Sequence, residues 1–224
     1  MRKIPLNNQT ILNKLDELHQ FRQPEVLNEF VQTGEKFTVK EKDWFTSDEY
    51  FDKIRGMKRN HDGFPEAIKS TSLQYSTMKP KTGGNPKLRQ ETYRKLTDFT
   101  EWFEGNYCLK NNALFAIYPP DGFISWHNNA NAAAYNCILT WSETGDGYFK
   151  WWDTRKEEFV YWHDEPGWQC RLGYFGSYED DWDDLVYHCA ATDCWRMTVS
   201  FTFDRSEQSQ MMQDWLVEDL MADE

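Results

Sequence analysis

The chain has 224 residues, a net charge of −12, and 39% hydrophobic residues with 17% aromatics. That size and aromatic load can bury a core and exclude a disordered chain, while no apolar run approaches the ~18 residues of a membrane-spanning helix. The charge is uneven: residues 1–110 carry 19 Lys and Arg against 16 Asp and Glu, residues 111–224 only 6 against 21. The balance argues against nucleic-acid binding through general phosphate attraction, and the shift near residue 110 suggests two structural halves.

The first half reads as helices. Thr10 can cap a segment in which Ile11, Leu12, Leu15, Leu18 and Phe21 keep helical spacing. Pro24 suits the first turn of a second helix bearing Val26, Leu27, Phe30 and Val31, with Gly34 ending it. Thr46-x-x-Glu49 has the form of a capping box ahead of Tyr50, Phe51 and Ile54. Residues 56–84 lose periodicity and finish in a Lys-Pro-Lys-Thr-Gly-Gly loop. Asn85-Pro86 opens the best helix, with Leu88, Thr92, Leu96, Phe99 and Phe103 on one stripe and Gly105 as its stop. His19 and His61 fall in this half as surface residues.

The period then changes. Strand-like runs occupy about 113–118, 123–129, 135–142, 147–153, 158–164, 168–176, 185–190 and 195–203, mostly separated by Gly, Pro, Asn or Asp. Eight short strands without intervening helices predict an antiparallel jelly roll, and helices laid against it make the fold class α+β. The expected organisation is a helical support region over 1–110, a β core over 111–204 and a C-terminal amphipathic helix over 205–224. Met211, Met212, Trp215, Leu216 and Leu220 form the apolar pattern of that helix. The five cysteines are odd in number and make no Cys-x-x-Cys; four sit in strand contexts and read as small buried hydrophobes. His163-Asp164-Glu165 stands before Pro166-Gly167 and reads as a turn.

One stretch carries chemistry. Tyr118-Pro-Pro-Asp-Gly-Phe-Ile-Ser-Trp-His127-Asn128-Asn129 is answered 61 residues after its histidine by His188, then by Arg196-Met-Thr198. In a strand, His127 and Asn129 would face one side while Trp126 and Asn128 face the other. The last run alternates cleanly and puts Arg196, Thr198, Ser200 and Thr202 on one face. An arginine flanked by hydroxyls can bind a carboxylate bidentately.

Over roughly residues 111–204 these motifs resemble the Fe(II)- and 2-oxoglutarate-dependent oxygenases, whose fold is a double-stranded β-helix. The prolyl-hydroxylase-like members are the nearest in pattern. The resemblance implies that His127 and His188 are the iron imidazoles, and that Asn129 stands at the third metal position, where the family has a carboxylate. It implies that Arg196 and Thr198 hold the distal carboxylate of 2-oxoglutarate, helped by Tyr118. The implied cofactors are Fe(II) and 2-oxoglutarate. The implied partners are O2 and a small-molecule or protein side-chain substrate, hydroxylated at a C–H with release of succinate and CO2. Met1-Arg-Lys-Ile-Pro runs into an amphipathic pattern without the apolar core and cleavage site of a signal peptide, so a cytoplasmic setting is the expectation. The chain is also similar to uncharacterised oxygenases of tailed phages and aquatic bacteria, which in the phage case implies the cytoplasm of an infected cell.

Asn129 leaves three readings open. Its amide oxygen binds the metal; another carboxylate such as Glu143, Asp146 or Asp153, or an exogenous anion, takes the third position; or the metal chemistry is lost. The last makes the chain a non-catalytic cupin-like ligand-binding or phage structural protein.

Overall fold

The computed structural model describes residues 1–18, 26, 39–72, 85–109, 111–129, 134–176, 185–203 and 206–223. The proposed helix after Pro24, His19, and the loop at 79–84 lie outside the described residues apart from Val26. The described α-helices are α1 (Gln9–Asp16), α2 (Val39–Phe45), α3 (Asp48–Met57), α4 (Pro86–Tyr107) and α5 (Glu207–Met221), and a 3-10 turn at Lys58–Asn60 follows α3. None is long and apolar enough to cross a membrane.

Side-chain oxygens fix where these helices begin. Asn8, not Thr10, caps α1, accepting a hydrogen bond from the Ile11 amide at 3.0 Å. The capping-box reading shifts by one residue: Ser47 accepts from the Tyr50 amide, while the Thr46 hydroxyl donates back to the Lys42 carbonyl of α2. Asn85 caps α4 as expected from Asn85-Pro86. Gly105 does not stop that helix; burial of Tyr107 against Phe103 draws it on to a left-handed Cys108 at φ 49°. On α5, Ser209, Gln213, Leu216 and Leu220 form the buried stripe, so Met211 and Trp215 face solvent instead of the core.

Eleven strands are described: β1 (Arg2–Ile4), β2 (Ile68–Lys69), β3 (Thr71–Ser72), β4 (Asn111–Tyr118), β5 (Gly122–His127), β6 (Ala134–Ser142), β7 (Gly147–Asp153), β8 (Glu158–His163), β9 (Gly167–Phe175), β10 (His188–Thr192) and β11 (Arg196–Phe203). They form two antiparallel sheets, one in the order β1-β9-β6-β11-β4-β3 and the other β2-β5-β10-β7-β8. The eight expected strands are β4 to β11. The three short edge strands had too few residues to show a period.

Alternation gives each sheet two jobs. The outer face of the first sheet, with Phe115, Val199, Phe201 and Phe203, packs on α1, α4 and α5. The outer face of the second, with Trp126 and Cys189, packs on Tyr50, Phe51 and Ile54 of α3. Between the sheets, Ile138 and Phe175 of the first meet Phe149 and Ala190 of the second. The molecule is therefore a mixed helical and antiparallel β structure with helices on both outer faces.

Phe103 of α4 is wholly buried and stacks on Phe201 of β11 with ring centroids 4.6 Å apart. Phe103→Ala should cost about 3–5 kcal/mol through lost burial and an unfilled cavity. Urea denaturation will measure it as a lowered midpoint with little change in slope.

Candidate metal centre and anion pocket

Antiparallel pairing of β5 with β10 sets His127 opposite His188. Their ring centroids are 4.1 Å apart, and both side chains are buried. Nδ1 of His127 lies 2.8 Å from the Ser125 carbonyl, and Nδ1 of His188 lies 3.0 Å from the Val186 carbonyl. A carbonyl only accepts, so each Nδ1 carries the proton and donates it. Each Nε2 then keeps a lone pair, the tautomer a metal ligand needs. Burial pushes His127 down to about 4, with His61 adding to it and the Ser125 and His188 backbone offsetting part. Burial, then the neighbouring His127, puts His188 well below 6.5. Both rings are neutral near pH 7, and the donor set fits a borderline divalent metal.

Position 129 departs from the alternation. The strand ends at His127, the fully buried Asn128 donates its amide to the Gly63 carbonyl at 3.2 Å, and Asn129 is left-handed at φ 63°. The period-two argument therefore stops at His127, two residues before Asn129. His61 is buried, not a surface residue as expected: its Nδ1 accepts from the Gly63 amide at 3.0 Å, within the loop that braces Asn128. The alternative carboxylates do not gather at the pair. Glu143 accepts from the Trp195 amide, Asp146 from the Thr144 hydroxyl, and Asp153 from the amides of Arg155 and Lys156. Among the described residues, no three His, Cys, Asp or Glu side chains come together as a metal-holding group.

On the facing sheet, Arg196 and Tyr118 are register partners, and the guanidinium lies 5.5 Å from the Tyr118 ring centroid. Arg196 donates through Nη1 to the Thr198 hydroxyl at 2.7 Å and through Nε to Asp164 at 2.8 Å. Burial raises the Tyr118 phenol, and the guanidinium only partly opposes it. Asp164, in the β8–β9 turn, also accepts from Nη2 of Arg171 at 2.8 Å. Arg171 further donates to Gln169 and Thr140. Burial alone would raise the Asp164 carboxyl, but the two guanidiniums outweigh it and hold it below its ordinary value.

Sequence reasoning missed Arg171 and Asp164. A clue to Arg171 existed: an arginine within Gln169-Cys-Arg-Leu172 has no apolar role on an inward strand face. Asp164 carried none, because its partners come from two other strands. The structure thus brings Tyr118, Arg196 and Thr198 together on one sheet, His127 and His188 on the other, with Asn129 just beyond the strand end. Phe149 joins the two groups, stacking on His188 at 5.5 Å and lying 5.9 Å from the Arg171 guanidinium. A cavity of about 660 Å3 is lined by Trp151, the register partner of His188, and by Val186, Tyr135, Gly173 and Gln213; neither histidine nor the arginine cluster lines it.

No family model matches the chain, and no curated protein matches its sequence. Among solved structures it is similar to a Pseudomonas putida prolyl-4-hydroxylase, at 11% identity over 69% of this chain and 83% of that one, with a TM-score of 0.34. It is similar to a viral collagen prolyl hydroxylase from Paramecium Bursaria Chlorella virus-1, solved as a 2OG complex, at 11% identity, 70% and 91% coverage, TM-score 0.31. A Trichoplax adhaerens prolyl hydroxylase, in complex with a hypoxia inducible factor degradation-domain peptide, matches at 10% identity, 91% and 95% coverage, TM-score 0.36. Scores this low establish no shared fold, so the site is read from its own geometry.

The histidine pair makes stability depend on pH. Both folded-state values lie below the ordinary 6.5, so the unfolded chain binds protons that the folded chain refuses. For the metal-free protein, this contribution is whole above about pH 6.5 and is lost as the pH falls towards 4. His127 alone should account for about 2 kcal/mol between about pH 7 and pH 5. Urea unfolding at the two pH values measures it, and His127→Gln should remove that share of the slope.

Proposed function

We propose that the chain is an Fe(II)- and 2-oxoglutarate-dependent oxygenase on a double-stranded β-helix core. Strands β4 to β11 support the core assignment, because β4, β11, β6 and β9 adjoin in one sheet and β5, β10, β7 and β8 in the other. In this reading His127 and His188 hold iron, with Asn129 at the third position. Arg196 and Thr198, beside Tyr118, hold the distal carboxylate of 2-oxoglutarate. The observation that carries the proposal is the pairing of two neutral inward imidazoles, each with Nδ1 tied to a carbonyl, with an arginine-hydroxyl pocket on the opposite sheet.

Bound iron with 2-oxoglutarate and O2 supplies the oxidising power to hydroxylate a substrate C–H. The chain's own residues do the rest. The Ser125 and Val186 carbonyls fix the ring orientations of His127 and His188. Phe149 and Phe175 exclude water beside His188. Thr198 accepts from Arg196 and so keeps its own O–H available to donate to a carboxylate. The cavity beside Trp151 and Val186 is the proposed entrance for a small molecule or a protein side chain, and its volume suits either.

A second reading is a ligand-binding jelly roll without catalysis. It is favoured by one observation: no carboxylate among the described residues joins the two histidines.

Two measurements separate the readings. Anaerobic addition of Fe(II) and 2-oxoglutarate should give a weak visible charge-transfer band, and air should then produce succinate. Absence of both, together with failure to take up stoichiometric iron, sinks the oxygenase reading. The left-handed backbone at 129 accepts Asp as readily as Asn, so Asn129→Asp should fold normally and tighten Fe(II) about tenfold or more through one added charge. Unchanged iron affinity would remove position 129 from the metal site.

A further inference from the structure

Two guanidiniums, those of Arg171 and Arg196, share one carboxylate between the sheets. Asp164 is the single buried acidic side chain among the described residues. The inward neighbours of the cluster, Thr140, Gln169, Thr198 and Tyr118, are neutral. Lys42 and Lys150, the other buried cations with described partners, are matched by carboxylates of their own. Among the described residues, the Arg171–Arg196–Asp164 cluster therefore carries one positive charge more than it neutralises, in a region where an unmatched charge is costly. Donors are also left over. Nε of Arg171 is buried with no partner, and Arg196 makes no hydrogen bond among the described residues through Nη2.

We propose that Arg171 is a positioning residue for the co-substrate site: by sharing Asp164 with Arg196 it leaves the pocket one positive charge in excess, which one carboxylate of an organic dianion neutralises. Asp164 is then an internal counter-ion that occupies Nε of Arg196, while Thr198 takes Nη1, and Nη2 is left to the incoming carboxylate. This rests on the 2-oxoglutarate reading of Arg196, but it concerns residues outside that motif. It also gives a count. With Arg171 removed, Arg196 and Asp164 cancel and the pocket has no reason to take an anion. With Asp164 neutralised, the excess is two.

The test uses the full metal-free chain, with 2-oxoglutarate and glutarate as probes and sulfate as a third, at matched ionic strength. Dissociation constants are read by calorimetry or from the thermal shift. Arg171→Met should weaken dicarboxylate binding about tenfold or more, and Asp164→Asn should tighten it. The double variant restores an excess of one and should return to within about threefold of the unaltered chain. A merely structural role predicts the opposite, a double variant at least as impaired as the worse single one. If Arg171→Met fails to fold, Asp164→Asn against the double variant still decides. A double variant that does not recover, or an Asp164→Asn that binds no tighter, overturns the proposal. Sulfate binding that follows the same order of variants without dicarboxylate binding would sink the 2-oxoglutarate reading and leave the charge count standing. No anion bound by the unaltered chain sinks both.

Discussion

The carboxylate of Asp164 is the constraint on which the interior depends. It offsets the burial of two arginines in the space between the sheets, and breaking such a buried pairing costs about 3–5 kcal/mol. Its position in the β8–β9 turn dictates where both guanidiniums go. Arg196 is drawn over the Tyr118 ring and against Thr198. Arg171 lies 5.9 Å from both the Phe149 and the Trp162 ring centroids. Phe149 in turn stacks on His188. The charged end of the interior and the imidazole end are thus joined through one phenylalanine, and neither can be repacked without moving the other.

The helices fix the same site from outside. Along β5, Trp126 packs on Phe51 of α3 with centroids 5.0 Å apart, while the next residue, His127, faces inward. Lys150, on the outer face of β7, pairs with Asp48 at the start of α3 and lies under the rings of Phe159, Tyr161 and Trp126. Desolvation would lower that lysine, but its partners outweigh burial and its pKa is raised. Lys42 of α2 joins two turns, reaching Asp121 between β4 and β5 and Asp193 between β10 and β11. These ties hold β5, β10 and β7 from behind. The N-terminal helices therefore belong to the site without contributing a residue to it.

What was legible in the sequence follows from how local each signal is. Period two is local, and it located the eight strands β4 to β11, with β10 displaced from the expected 185–190 to His188–Thr192, and the face that Arg196 shares with Thr198. Helix spacing placed α4 because Thr92, Leu96, Phe99 and Phe103 repeat over several turns. Caps were less legible: Asn8 and Ser47 took the roles expected of Thr10 and Thr46, since neighbouring polar residues compete for the same few amides. The partnership of Asp164 with Arg171 and Arg196 was invisible, because it exists only after β8, β9 and β11 have been brought together. His61 was misjudged for a related reason: burial by a loop has no period to reveal it.

Asn129 draws these threads together. A left-handed φ after a strand is tolerated by Gly, Asn and Asp and resisted by most other residues. The backbone thus accounts for an Asx residue at this position, and Asp would satisfy it equally. What the backbone does not decide is the choice of amide over carboxylate, so that choice concerns charge. The two imidazoles of the preceding strand pair are neutral, and among the described residues the Arg171–Arg196–Asp164 cluster of the facing sheet has one cation more than carboxylates. A carboxylate at 129 would give a bound divalent metal its only protein-borne negative charge among the described residues; the amide withholds it. On the proposed oxygenase reading, a metal held here would draw its negative charge from the organic acid rather than from the protein, and its retention would follow occupancy of the Arg196 pocket.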